Sequence, residues 1–332
     1  MQFSADAIEF LTDFETHLEQ TLGDARGQFA NARLLCDAAD HLALADAAKR
    51  MRPLLVDHIG RALQLKRSDR LAVAAAAELI HTASLLHDDV VDEADVRRGR
   101  PAANVRWGNS VAVLSGDLVL CIAFEQLHRF PRQVVDDAVE LVATMTRAAL
   151  HEIVARRSRD WGVDDWETIA EGKTAALMGW CTATPAIVAG REDIADRMRD
   201  CGRQLGLAFQ LMDDLTELQG GTDDEFIDLH TANPSFPVAV ARQDDSTVYQ
   251  QLDALWSAES AADHRLADIA DRIVAGAAPD TTIERIDHHL DRATDALGNL
   301  AERPGGRRIG HWCDMLRQLA HANRPTNRRE TG

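Results

Sequence analysis

Three carboxylates stand close together in Leu85-Leu86-His87-Asp88-Asp89-Val90-Val91-Asp92, in the pattern Asp-Asp-x-x-Asp. On a helix, Asp88 and Asp92 lie one turn apart on one face, and their like charges repel unless water screens them or a divalent cation bridges them. Hard oxygen ligands of this kind suit Mg²⁺, which commonly holds one or two carboxylates and completes its shell with water and phosphate oxygens. An isolated pattern of this sort is more often a solvated acidic face. Here an apolar run leads into it and Arg97-Arg98-Gly99-Arg100-Pro101 follows, offering cations for phosphate oxygens that metals do not reach. A second acidic pair appears far along the chain in Gln210-Leu211-Met212-Asp213-Asp214-Leu215-Thr216-Glu217, where Asp213 and Glu217 again share a helix face. Two such helices facing each other would clamp magnesium ions on one diphosphate.

The elements that must carry these groups are helices. Apolar residues recur at three-and-four spacing in segment after segment, as in Ile8, Leu11, Phe14 and in Leu114, Leu118, Ile122. Alternating β-branched stretches are few, so an all-β or regular βαβ reading fits poorly. Breaks are expected near Arg67 to Asp69, Gly99 to Pro101, Phe130-Pro131, Asp160 to Asp164, Gly190, and Arg303 to Gly306, with the longest irregular segment from Gly220 to Pro237. None of these is long enough to be an interdomain linker, and no fixed-period repeat is present. The expectation is one helical domain over residues 1–332, with a polar tail, about 323–332, that frays.

The whole chain sets further bounds. Its 332 residues are 45% hydrophobic, enough for a large core. A formal charge of −18 argues against a nucleic-acid partner, because a phosphate backbone needs a basic face. Cys36, Cys121, Cys181, Cys201 and Cys313 are odd in number and form no Cys-x-x-Cys pair, which favours a reduced, cytoplasmic setting without structural disulfides. No signal peptide is apparent at the N-terminus. No transmembrane segment is expected, since the longest apolar run, Leu71 to Ile80, is interrupted by Glu78. Only three lysines occur, Lys49, Lys66 and Lys173.

From Lys49 to about Pro237 the chain resembles the trans-isoprenyl (polyprenyl) diphosphate synthase family. The most specific stretch is Ile80 to Glu93, continuing through Arg97-Arg98-Gly99, Gly108-Asn109 and Gly116-Asp117, and it looks closest to the long-chain branch. The resemblance implies an all-α fold, a single large helical bundle of the isoprenoid synthase type around a central apolar cavity. It implies Mg²⁺ held by Asp88, Asp92, Asp213 and Glu217, with an allylic diphosphate bound by Arg97, Lys173 and Thr174 and with Gln210 beside it. The isopentenyl diphosphate site would be Lys49, Arg52, His81 and Arg98. Two of the three lysines thus land on phosphate-binding positions. Small residues at Ala83 and Ser84, near the first acidic cluster, suggest an open pocket and a product longer than farnesyl diphosphate. The family also implies a homodimer.

The pattern departs after the second cluster. Where the family usually carries two Gly-Lys pairs around an Asp-Leu, this chain reads Gly220-Gly221 onward to Asp228-Leu229 and then Asn233, with both lysines missing. Glu217 replaces the usual third aspartate, Ala47-Ala48 replaces paired glycines before Lys49, and Ala155 stands where glutamine is common. The implied activity is a prenyltransferase condensing isopentenyl diphosphate with an allylic primer. Two alternatives stand beside it: a cyclase, or transferase to another acceptor, and a weakly active partner subunit of a heteromeric synthase.

Overall fold

The computed structural model describes residues 4–45, 48–218, 226–257 and 263–324. Ala47 and the Gly220-Gly221 stretch therefore lie outside the described residues, as does most of the polar tail. The described residues are mostly helical, as the three-and-four spacing predicts. The helices are α1 (Ala5–Gln28), α2 (Arg33–Ala43), α3 (Met51–Ala62), α4 (Arg67–Val91), α5 (Ala103–Trp107), α6 (Asn109–Leu127), α7 (Arg132–Ser158) and α8 (Val163–Ala170). After these come α9 (Ala176–Val188), α10 (Glu192–Leu218), α11 (Ile227–Thr231), α12 (Phe236–Asp244), α13 (Ser246–Ser257), α14 (Asp263–Ala275), α15 (Ala278–Leu297) and α16 (Pro304–Ala322). Among the described residues the only strands are β1 (Val96–Arg97) and β2 (Arg100–Pro101), a two-residue antiparallel hairpin. The break expected from Arg67 to Asp69 falls slightly earlier, between Ala62 and Arg67, because Lys66 serves as the N-cap of α4.

Two compact units divide the chain. The first comprises Met1–Val142, Trp180–Arg199 and Glu302–Gly306; the second comprises Ala143–Gly179, Asp200–Ala301 and Arg307–Gly332.

In the first unit, α4 is the central element. Residues Ala72 to Leu79 are buried almost without interruption, so α4 is covered all round rather than amphipathic. α6 packs along it, and the close approach has a visible cause: a side chain at Gly116 would meet the His87 ring at 2.2 Å. Among the described residues α6 is the one helix long and apolar enough, by length and composition, to cross a membrane. Its apolar content has a packing role here, since Ala112, Gly116, Val119, Ile122 and Ala123 are buried.

In the second unit, tight backbone contacts serve the same purpose. A side chain at Gly172 would meet Ala148 at 2.5 Å, and one at Gly206 would meet Ala175 at 2.6 Å. These two glycines bring α7 and α10 against a π-helical turn, Glu171–Ala175, that sits between α8 and α9. Such turns are rare and concentrate at functional sites. Here it carries Lys173 and Thr174.

Candidate active site

The first acidic cluster sits at the C-terminal end of α4. Asp88 is in the last turn, and Asp92 is the C-cap, its N–H bonding to the Asp88 carbonyl. A helix C-terminus carries partial negative charge, so adding carboxylates there is unfavourable unless cations are gathered nearby. Arg97 supplies one. Its Nε donates to Oδ1 of Asp89 at 2.7 Å, and Asp89 is fully buried. Burial pushes the Asp89 carboxyl above its ordinary range, against the lowering effect of Arg97. Asp88 is half-buried and Asp92 exposed. The three aspartates are therefore not equivalent: Asp89 is tied into the protein, while Asp92 stands towards solvent.

The residues expected to hold isopentenyl diphosphate all lie in this same unit. His81 lies two turns before Asp88 on α4. Burial comes first in driving its imidazole well below the usual range, followed by the positive charges of Arg52, Arg98, Arg97 and Arg50. His81 is thus a neutral ring inside a cluster of guanidinium groups, which is the environment an anion would seek. Arg52 lies in the first turn of α3, and Lys49 is exposed just before it. Arg98 is turned into the left-handed region at φ 52° and donates from Nη1 to the Leu42 carbonyl at 2.8 Å. Ser84 donates from Oγ to the His81 carbonyl at 2.8 Å, and Ala83 is fully buried.

The remaining predicted residues lie in the second unit. Lys173 pairs with Glu152. Thr174 donates from Oγ1 to Oε1 of Gln210 at 2.9 Å, and Gln210 donates from Nε2 to Oδ1 of Asp214 at 2.9 Å. The other Asp214 oxygen accepts from the Trp166 indole at 2.7 Å and from the Phe236 N–H at 2.9 Å. Burial, with Asp228 nearby, pushes Asp214 up to about 7. Asp213 is exposed one residue earlier, and Glu217 is half-buried on the same helix. Glu217 accepts from the Asp228 N–H at 2.6 Å. Burial and the facing Glu217 carboxylate hold Asp228 well above the usual range.

Asn233 donates from Nδ2 to Oδ1 of Asp228 at 2.9 Å. It stands where the family usually carries a lysine, and in this chain its amide goes to a carboxylate. The short helix α11 that bears Asp228 is clamped by two indoles: Trp161 donates to the Ala232 carbonyl at 3.0 Å and Trp256 to the Leu229 carbonyl at 2.8 Å. Arg242 stacks on both rings, 4.9 and 5.1 Å from their centres.

Sequence reasoning missed Glu78, Arg50 and this tryptophan pair. Glu78 had a signal, being the one charge that interrupts the Leu71 to Ile80 apolar run. Among the described residues, no three His, Cys, Asp or Glu side chains converge as a ready cation cage. Mg²⁺ needs none, because it takes most of its ligands from water and substrate oxygens. The donor set at each acidic helix is carboxylate oxygen, which fits that ion.

Residues 32–273 match the family model for polyprenyl synthetase. The chain belongs to the polyprenyl synthetase family. It is 30% identical over 281 residues to an octaprenyl diphosphate synthase of Escherichia coli strain K12, covering 82% of this chain and 84% of that relative. Among solved structures, a decaprenyl diphosphate synthase from Rhodobacter capsulatus superposes with a TM-score of 0.87 at 25% identity, covering 95% of this chain and 98% of the other. A polyprenyl synthase from Caulobacter crescentus CB15, complexed with calcium and isoprenyl diphosphate, gives 0.76 at 25% identity, covering 94% and 98%. This trans-isoprenyl diphosphate synthase family thus accounts for the all-α fold, and relatives of its long-chain branch are among the matches.

Proposed function

We propose that this chain is a prenyltransferase that condenses isopentenyl diphosphate with an allylic prenyl diphosphate to give a longer linear (E)-polyprenyl diphosphate. The observation that carries the reading is the cationic setting of His81, whose imidazole is held well below its usual range by burial and by the positive charges of Arg52 and Arg98. A cyclase acts on one prenyl diphosphate and has no use for a second anion site of this kind. The alternatives of cyclisation and of transfer to another acceptor are therefore not favoured.

In the proposed reaction, Arg97, Lys173 and Thr174 bind and orient the allylic diphosphate. Asp88, Asp92, Asp213 and Glu217 hold magnesium, which when bound neutralises charge developing on the leaving diphosphate. Lys49, Arg52, His81 and Arg98 hold the isopentenyl diphosphate so that its double bond meets the allylic carbon. The bond from that carbon to the diphosphate oxygen breaks, the new carbon–carbon bond forms, and a proton passes to the departing diphosphate. Buried apolar side chains of α4 and α6 shelter the cation from water. In this reading the whole chain acts as one catalytic domain. The calcium and isoprenyl diphosphate held by the Caulobacter relative support a divalent ion and substrates of this class.

Two further proposals accompany this one. The exposed Leu114 and Cys121 stand two turns apart on one face of α6 with exposed Val113 beside Leu114, an apolar patch suited to a second copy of the chain and hence to a homodimer. The five described cysteines are all free, which suits a reducing, cytoplasmic setting.

The test is release of inorganic diphosphate. With Mg²⁺ and an allylic diphosphate alone, sustained release is not expected, and adding isopentenyl diphosphate should start it. Sustained release without isopentenyl diphosphate would overturn the proposal in favour of cyclisation.

A further inference from the structure

We infer that Glu78 is a positioning residue for the isopentenyl diphosphate cations, acting through Arg50 and Arg98; this deepens the proposed function and rests on it. Glu78 is 2% exposed in the middle of α4, three residues before His81. Its Oε1 accepts from Nη1 of Arg50 at 2.6 Å and lies 3.6 Å from Nη2 of Arg98. A buried carboxylate persists only when paired. Here its two partners belong to two separate segments of chain, each of which carries predicted substrate ligands.

Arg50 is scaffold rather than ligand. It is 6% exposed, and every guanidinium nitrogen is engaged. Nε and Nη2 donate to Glu15 at 2.7 and 3.0 Å, Nη2 also donates to the Ala43 carbonyl at 2.7 Å, and Nη1 goes to Glu78. Arg98 donates to the neighbouring carbonyl, Leu42. Leu42 and Ala43 are the last two residues of α2, whose terminal carbonyls have no partner within the helix and favour cations.

The backbone points the same way. Arg50 and Arg98 both adopt the left-handed region, at φ 51° and 52°, which costs a non-glycine residue free energy and survives only where the surroundings fix it. The turn at Arg50 separates exposed Lys49 from Arg52 at the start of α3. The turn at Arg98 follows Arg97 in the β hairpin. One buried carboxylate and one helix end thus set the direction in which Lys49, Arg52, Arg97 and Arg98 leave the fold. Without Glu78, the guanidinium groups around His81 also repel one another unopposed at this point.

The experiment is steady-state kinetics on purified Glu78→Gln and Glu15→Gln. For Glu78→Gln the expected result is a rise of about tenfold or more in KM for isopentenyl diphosphate, with KM for the allylic substrate nearly unchanged, because a charge-assisted bond that orients the site is lost. Glu15 is partly exposed, so Glu15→Gln should fold and should show a smaller rise in the same constant. A folded Glu78→Gln enzyme with wild-type KM for isopentenyl diphosphate, or with both KM values raised equally, would overturn the inference. Should that variant not fold, an unchanged KM in Glu15→Gln overturns it. Failure of the proposed function looks different: the wild-type protein then consumes no isopentenyl diphosphate at all.

Discussion

Arg97 reaches back eight residues to hold Asp89, Nε to Oδ1 at 2.7 Å, and so fixes the middle carboxylate of Asp88-Asp89-x-x-Asp92 as part of the fold. The Asp89 carbonyl meanwhile accepts from Asn104 at 3.1 Å and from the Ala94 N–H at 3.0 Å, which closes the turn after α4. The pattern therefore divides its labour. Asp88→Ala and Asp92→Ala should each lower the rate of elongation roughly a hundredfold or more, as expected for loss of preorganised charge stabilisation, with little change in melting temperature. Asp89→Ala should instead cost about 1–3 kcal/mol of stability, because the partly buried Arg97 loses its partner. Thermal melts and initial rates on the three variants separate the roles.

The second unit offers the corresponding test at Asp214. Its carboxylate accepts from Trp166, Phe236 and Gln210, so Asp214→Ala strands three donors and should cost about 3 kcal/mol or more, at about 1–3 kcal/mol for each buried unpaired group. Asp214→Asn keeps an acceptor for two of them, and the Gln210 amide can turn to meet the third, so it should cost clearly less. Chemical denaturation of both variants measures the difference. Equal losses would mean that these bonds do not hold the region.

Product length should respond to the residues just before the acidic cluster. Ala83 is 1% exposed, so Ala83→Phe must overpack the core and should cost about 1–3 kcal/mol while shortening the product. Ser84 is half-buried and gives the cleaner variant. Ser84→Phe should shorten the chain with a smaller stability loss, read by chromatography of the dephosphorylated products. An unchanged product distribution in both variants would count against a pocket at this point.

His81 gives a pH prediction. Its folded value is well below the ordinary 6.5, so below pH 6.5 the unfolded chain binds the proton that the folded chain does not. The stability it contributes is present above pH 6.5 and is lost as pH falls below that value. Through pH 6 to 8 the ring stays neutral, and kcat/KM for isopentenyl diphosphate should show no break near 6.5 that His81→Gln removes. Such a break, lost in the variant, would show that His81 works as a cation.

Much of this was legible in the residues. Helical periodicity and the turn residues at Gly99 and Gly190 mark most boundaries, because those signals are local. The Gly-Lys-Thr-Ala segment at 172–175 stands out as a candidate site, yet nothing in its letters reveals a π-helical turn, which depends on Gly172 and Gly206 letting neighbouring helices approach. Arg50 sits in a basic run with Lys49 and Arg52, and its part in the scaffold shows only in its guanidinium contacts to Glu15, Ala43 and Glu78. The lost lysines could be read as a simple deficit, whereas Asn233, Trp161 and Trp256 hold Asp228 beside Glu217 by contacts separated by up to 71 residues. Long-range pairings of that kind leave no spacing to find.

The central claim is chain elongation, and the most direct measurement is product analysis after incubating the purified protein alone with Mg²⁺, labelled isopentenyl diphosphate and a panel of allylic diphosphates. The account predicts label in linear prenyl diphosphates longer than the primer by whole five-carbon units. Hydrocarbons free of label, or primer and isopentenyl diphosphate both recovered unchanged, would contradict it.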